Sequence, residues 1–260
     1  MRASDTAVLD ALVLRSTKIV ESLRTKSPRV HCITNTVAQN FTANALLAAG
    51  CVPSMTLSGD EIASFVASSD ALLVNLGTLD AERRQATETA VATAAARGIP
   101  WVLDPVFVDR SPGRAAFARA LLARKPAVVR LNHAEFTALA GTPPSPESVA
   151  AFASTHRCVV ALSGKADLVS DGERNATIDN GHPLMARVTA MGCAGSALVA
   201  AFCAIEDDAF AASAAALLML GIAGEQAAER AAGPGSFAAG ILDALYALEP
   251  QTVIARAKST

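Results

Sequence analysis

The chain alternates short, wholly apolar runs rich in β-branched residues with longer alanine-rich stretches. That alternation predicts a mostly parallel sheet whose strands are joined by helical crossovers. Strands are expected at 29–33, 71–76, 100–103, 127–131 and 157–162, with a further short one at 52–55. Several have no polar face at all, as strands covered by helices on both sides should not. Residues 167–170 and 176–178 read as a β-hairpin, with Asp171-Gly172 as the turn signal. Helices are expected at 37–49, 60–67, 81–97, 114–123, 134–140, 146–155, 194–205, 209–232 and 236–248. Gly50 and Gly98 stand just past two of them, and Pro100 blocks continuation of the second. The expected architecture is a three-layer α/β fold, a mostly parallel central sheet with helices on both faces and a small hairpin near 167–178. No internal repeat or long linker interrupts it, so residues 1–260 are read as a single domain.

Composition adds to this picture chiefly by exclusion. Hydrophobic residues make up 52% of the 260 and charged residues 18%, enough to fill a large core. Aromatics are only 4%, so alanine-lined helix packing is expected in place of an aromatic-rich sandwich. A net charge of −2 gives no electrostatic case for nucleic acid or an anionic membrane surface. Five cysteines, an odd number with no C-x-x-C pair, read as reduced thiols in a cytoplasmic protein. The N-terminal segment lacks the apolar core of an export signal. The longest apolar run, 209–223, is shorter than the roughly 20 residues a membrane-spanning helix needs.

Candidate chemistry gathers at strand-to-helix junctions. In 187–204, RVTAMGCAGSALVAAFCA, a small-residue turn containing Ala190, Gly192 and Cys193 opens a strongly helical run. Free N–H groups and the helix dipole make such a turn an anion site, and the same field favours a thiolate at Cys193. The bland alternative is a buried cysteine at the start of a core helix. Asp104 ends an apolar strand in Leu103-Asp104-Pro105-Val106, where it can hold Mg²⁺, orient a hydroxyl or simply begin a turn. Arg130 and Asn132 leave another strand on one side, and Glu135 follows three residues on. Asn132 and Glu135 can order water around Mg²⁺ or merely form a capping box, and Arg130 can reach an ATP phosphate. Three further junctions, at Thr34-Asn35-Thr36, Asn75-Leu76-Gly77-Thr78 and Leu162-Ser163-Gly164-Lys165, are polar enough to line a pocket and ordinary enough to be turns. His31 reads as a satisfied core histidine. Neither a G-x-x-x-x-G-K-[ST] loop nor a G-x-G-x-x-G fingerprint is present.

Taken in order, HCITNTVAQNFTANALLAAGCVPSM, LLVNLGTL, VLDPV, RLNHAEF, VTAMGCAGSALVAAFCA and GPGSF resemble the hydroxyethylthiazole kinases of thiamine salvage, in the ribokinase-like superfamily. The resemblance runs from about residue 30 to 248. It implies ATP-dependent phosphorylation of the primary alcohol of 4-methyl-5-(2-hydroxyethyl)thiazole, with Mg²⁺, in a cytoplasmic homotrimer whose substrate pocket lies between subunits. It further implies that Met55, Asn35 and Ala190 contact substrate. ATP falls to Arg130, Asn132, Ser163 and Gly192, the metal to Asp104 and Glu135, and the catalytic position to Cys193. Two departures stand out: Ala190 replaces a family glycine, where a Cβ would crowd the backbone or resist a positive φ, and Phe107-Val108-Asp109-Arg110 replaces small residues after Asp-Pro-Val. Rival readings on the same fold are a kinase for a pyrimidine or sugar alcohol, an ATP-dependent dehydratase, and a silent thiazole-binding protein.

Overall fold

The computed structural model describes residues 3–258. Eight strands form one sheet: β1 (Arg29–Ile33), β2 (Val52–Ser54), β3 (Ala71–Asn75), β4 (Trp101–Asp104), β5 (Val128–Asn132), β6 (Val159–Ser163), β7 (Asp167–Ser170) and β8 (Asn175–Ile178). Their order is β2-β1-β3-β4-β5-β6-β7-β8. The first six are parallel, and β7 and β8 close the sheet as an antiparallel hairpin. The chain winds outward from β1 to β2 and then returns through β3 toward β6. The reversal opens a crevice at the carboxyl ends of the central strands, where ligands settle in open α/β sheets.

Eleven helices are described: α1 (Ala3–Lys26), α2 (Gln39–Ala48), α3 (Ile62–Ala67), α4 (Ala81–Arg97), α5 (Pro112–Leu122), α6 (His133–Ala140), α7 (Pro146–His156), α8 (Met191–Cys203), α9 (Ala209–Ala228), α10 (Pro234–Ala247) and α11 (Pro250–Arg256). A 3-10 turn, Pro183–Arg187, precedes α8. Strand residues alternate between two cores. Leu73, Val102, Val128 and Ala161 pack with α1, α2, α8, α9 and α10, whereas Leu72, Val74, Leu103, Val129 and Leu162 pack with α3 through α7. The same two-residue step sends Asn75, Asp104, Arg130, Asn132 and Ser163 to the α8 face at the strand ends. Register keeps them level, Asn75 opposite Asp104 and Asn132 opposite Ser163.

Helix boundaries follow the local chemistry. Asp80, Ser111, Ser145 and Asp208 cap α4, α5, α7 and α9, and Gly98 ends α4 at φ 67°. Residues 210–224 of α9 are all buried, since α9 packs among α1, α8 and α10 and against β6 to β8. Although α9 is long and apolar enough to cross a bilayer, its surroundings are protein. The expected helix 209–232 stops at Ala228, and α8 starts at Met191, three residues before the expected 194. Neither α1 nor α11 was expected. The buried residues of α1 are Ser16, Thr17, Ile19, Val20 and Leu23, and the hydroxyls among them hide the helical period.

Candidate active site

The site begins with α8. Ala190, its N-cap, takes φ 71°, so the left-handed turn expected to demand glycine is made by alanine. That conformation costs a residue with a Cβ about 1–2 kcal/mol. The turn is thereby preserved: the Cβ that resists a positive φ at Ala190 does not prevent it. Met191 N–H bonds back across the turn to Val188 O at 3.4 Å, and the next to do so is Ala194 N–H, to Ala190 O at 2.8 Å. Among the described residues the N–H groups of Gly192 and Cys193 have no protein acceptor. Two unpartnered amides at the positive end of a helix form an anion hole.

Two asparagine side chains hold the Cys193 thiol. Asn35 and Asn75 each donate through Nδ2 to Sγ at 3.3 Å. Asn75 Nδ2 also reaches Asp104 Oδ2 at 2.7 Å, and Ser196 Oγ donates to that same oxygen at 2.8 Å. Asp104 Oδ1 is left without a protein partner on a cavity that Asp104 lines. Asn35 is locked in turn by Asn75 Oδ1 at 3.2 Å and by Ala38 N–H. Gly77 permits this approach, because a Cβ there would lie 2.7 Å from Asn35 Cβ. Burial pushes the Cys193 thiol up to about 11, the Asp104 charge pushes the same way, and the two asparagine donors oppose them. The thiolate expected to be favoured at the helix start is thus corrected: burial and the Asp104 charge prevail, and the thiol is neutral near pH 7.

Two buried carboxyls face the same space. Burial raises the Asp104 pKa, against the pull of Arg130 and its two hydrogen-bond donors. Glu135 is raised to about 6, first by burial and then by Asp104, while backbone donors resist. Those donors are Asn132 N–H to Oε2 at 2.9 Å and Phe107 N–H to Oε1 at 3.0 Å. With Asn132 Oδ1 accepting from Glu135 N–H, the capping box is present, and Glu135 also ties down the segment after β4. Phe107 there adopts φ 58° and is half exposed, with Arg110 stacked over its ring. Arg110, also paired with Asp109, lies at the surface.

Arg130 ties the parts together. Its Nη1 donates to Gly192 O at 2.9 Å, and its Nε is buried without a partner. Gly195 makes room for it: a Cβ would stand 3.1 Å from Nη2. Arg130 lines two adjoining cavities. The smaller, about 470 Å³, is lined by Asp104, Glu135, Asn132, Ala190, Gly192 and Cys193. The larger, about 650 Å³, runs past Ser163, Gly164 and Lys165 to Asp167, Asn180 and His182. Ser163 lines both, so nearly all the expected site residues converge. Met55 follows the edge strand β2 and lines neither cavity. His31 is a satisfied core residue, with both ring nitrogens bonded, to Ser54 Oγ and Thr56 O. Ser196 and the bridging role of Asn75 escaped the sequence reading. The signal for Ser196 was a lone hydroxyl one turn beyond Gly192 in an otherwise apolar helix.

Among the described residues no three His, Cys, Asp or Glu side chains converge as a ready metal cage. Asp104 and Glu135 do suit a hard divalent ion: both are oxygen donors, both are held above the usual carboxylate range, and one Asp104 oxygen is uncommitted.

An eight-stranded sheet with this crevice and an amide-rich helix start defines a ribokinase-like α/β protein. A ribokinase-like superfamily protein of Enterococcus faecalis shares the fold at a TM-score of 0.68 and 13% identity, over 88% of this chain and 93% of that one. The profile of the hydroxyethylthiazole kinase family matches residues 20–251, and the chain belongs to that family. A probable hydroxyethylthiazole kinase of Agrobacterium fabrum is 46% identical over 94% of each chain. The solved hydroxyethylthiazole kinase of Pyrococcus horikoshii superposes with a TM-score of 0.90 at 36% identity, over 94% of this chain and 98% of that one. As a member of this family the chain is a kinase, with ATP as co-substrate.

Proposed function

We propose that this kinase transfers the γ-phosphoryl group of ATP to the primary alcohol of 4-methyl-5-(2-hydroxyethyl)thiazole, as part of thiamine salvage in the cytoplasm. The observation that carries the reading is the pair of unpartnered amides, Gly192 and Cys193, on one cavity with Arg130 and two buried carboxyls. Phosphoryl transfer asks mainly for in-line positioning and for compensation of charge on the moving group. The amides and Arg130 bind the phosphoryl oxygens. Asp104 and Glu135 would hold Mg²⁺, which neutralises phosphate charge when bound. Asn35 and Asn75 fix the Cys193 sulfur, and Cys193 accepts the alcohol proton through its minority thiolate as the new O–P bond forms and the β–γ bridge breaks. Ser163 borders the nucleotide in the larger cavity and Asn132 meets its phosphate end from the smaller one.

The acceptor lies between Cys193, Asn35 and Ala190, with Met55 supplied across a subunit boundary in a homotrimer. Supporting that assembly, Val37, Leu47, Val52 and Phe65 expose large apolar side chains around the β2 edge. The five free cysteines suit a reducing compartment.

Mass spectrometry after incubation with Mg-ATP and hydroxyethylthiazole tests the reading. ADP and a phosphorylated thiazole are expected in equal amounts. Release of inorganic phosphate without a phosphorylated organic product would favour the dehydratase alternative. Thiazole binding without ATP consumption would favour the silent binding protein.

A further inference from the structure

The wall of the larger cavity opposite Ser163 is residues 179–185, a segment outside any strand or α-helix that is held from behind by unusual means. Asn180 is buried, and its whole side-chain amide is spent on distant parts of the chain. Its Oδ1 accepts from Lys258 N–H at 2.7 Å. Its Nδ2 donates to Arg256 O at 2.8 Å and to Glu225 Oε1 at 3.1 Å. Asp179 N–H adds a bond to Lys258 O at 2.7 Å. Glu225 Oε1 also receives Gly181 N–H at 3.2 Å and Lys258 Nζ at 2.9 Å.

Two glycines of α9 complete the seat. A Cβ on Gly221 would stand 2.6 Å from Asn180 O, and one on Gly224 would stand 2.7 Å from Met185 Sδ. Spaced three residues apart, they share a helix face and cut a notch into which the segment drops. Met185 then lines both cavities, and Asn180, Gly181 and Gly221 line the larger one. Hydrogen bonding of this density behind a loop is how a pocket wall is kept in its binding position before the ligand arrives.

We infer that Asn180 is a positioning residue for nucleotide binding, clamping the 179–185 wall between the α9 notch and the C-terminal segment at Lys258. This rests on the assignment of the larger cavity to ATP, and it adds a dependence of nucleotide affinity on residues well outside the phosphate site. The acceptor, placed at Cys193 and Ala190, meets this wall only at Met185, so its binding depends far less on the clamp than that of the nucleotide.

The test compares wild type with Asn180→Ala, Gly221→Ala and Lys258→Pro. The proline removes the N–H that Asn180 Oδ1 accepts and the exposed Nζ contact to Glu225, and Ala257, at ψ 130°, already has the extended backbone that a following proline requires. Lys258→Pro thus keeps the question answerable if a core variant fails to fold. Calorimetry with Mg-ADP and steady-state kinetics give the readout. We expect a KM for ATP and a Kd for ADP raised about tenfold, with kcat and the acceptor KM within about twofold. Folded variants that melt at lower temperature yet bind ADP like wild type would overturn the inference, leaving the clamp merely structural. Wild type that fails to bind ADP would instead remove the nucleotide assignment, and this inference with it.

Discussion

Replacing Cys193 by aspartate and by alanine probes the proton acceptor most directly. The thiol sits near pKa 11 because it is buried and faces Asp104. At pH 8 only about one molecule in 10³ then carries the thiolate, which is the form able to take a proton. The sign follows from the neutral acid: the thiol stays protonated until pH approaches 11, so the competent fraction climbs about tenfold per pH unit between 7 and 10. If Cys193 accepts the alcohol proton, the wild-type chemical step climbs with it. Cys193→Ala should lose about 10²–10⁴-fold, the usual contribution of a positioned base. Cys193→Asp presents a carboxylate to the same Asn35 and Asn75 donors. It gains in ionised fraction what it loses in basicity, so its rate at pH 8 should stay near wild type and its slope between pH 7 and 10 should vanish. Single-turnover measurement of phosphorylated product from pH 6 to 10 isolates the chemistry from product release. A flat wild-type profile together with full turnover in Cys193→Ala would refute the reasoning and leave the step to the amides and Arg130 alone.

Glu135, raised to about 6, contributes stability that is full below the ordinary glutamate range and lost as pH rises through 6. At pH 7.5 the ionised Glu135 carboxylate costs up to about 2 kcal/mol, first through burial and then through Asp104, so Mg²⁺ should raise Tm by several degrees at pH 7.5 and hardly at all at pH 5; equal shifts at both would exclude Glu135 from the ion. Ala190→Gly removes left-handed strain and should stabilise by up to about 1 kcal/mol after the entropy of glycine is deducted; a lower Tm in thermal denaturation would mean that the turn is not strained. Gly77→Ala should push Asn35 off Cys193 and reduce kcat by about 10²-fold with the fold intact by circular dichroism; wild-type kcat would show that Asn35 does not position the thiol.

Much of this was legible in the chain because the physics was local. Apolar runs such as 71–76 and 127–131 are strands since nothing else buries both faces of so short a segment, and Asp171-Gly172 turns the hairpin as expected. Asn132 and Glu135 form the capping box that their spacing allows, and Glu135 also reaches Phe107 N–H, a contact that spacing cannot foresee. What stayed hidden is what long-range packing decides. The Cys193 pKa reads as lowered from its place at a helix start and is raised by desolvation from neighbours far away in sequence. Asn75 looks like turn chemistry until β3 and β4 are set side by side, which puts its amide within reach of both Asp104 and Cys193. The α1 stripe is blurred by Ser16, whose hydroxyl is buried with no partner.

The unfavourable local features of the chain are not scattered evenly. Ala190 and Phe107 both hold left-handed backbone beside the smaller cavity, and Thr78 does so just beyond Asn75 and Gly77. Asp104 and Glu135 are buried with pKa values moved against ionisation, and Arg130 keeps a buried Nε without an acceptor. The other left-handed non-glycine positions, Ser27, Lys125 and Arg157, stand at or just beyond helix ends, where such turns are routine. A fold selected for stability alone would place glycine at 190 and apolar residues at the ends of β3, β4 and β5 on the α8 face. This one keeps two carboxyls, a guanidinium and two bare amides there, arranged so that each lacks the partner that a polyphosphate and its counter-ion would supply. Ligand binding therefore ought to relieve several of these costs at once, and the stabilisation by Mg-ADP should exceed the sum for Mg²⁺ and ADP given separately.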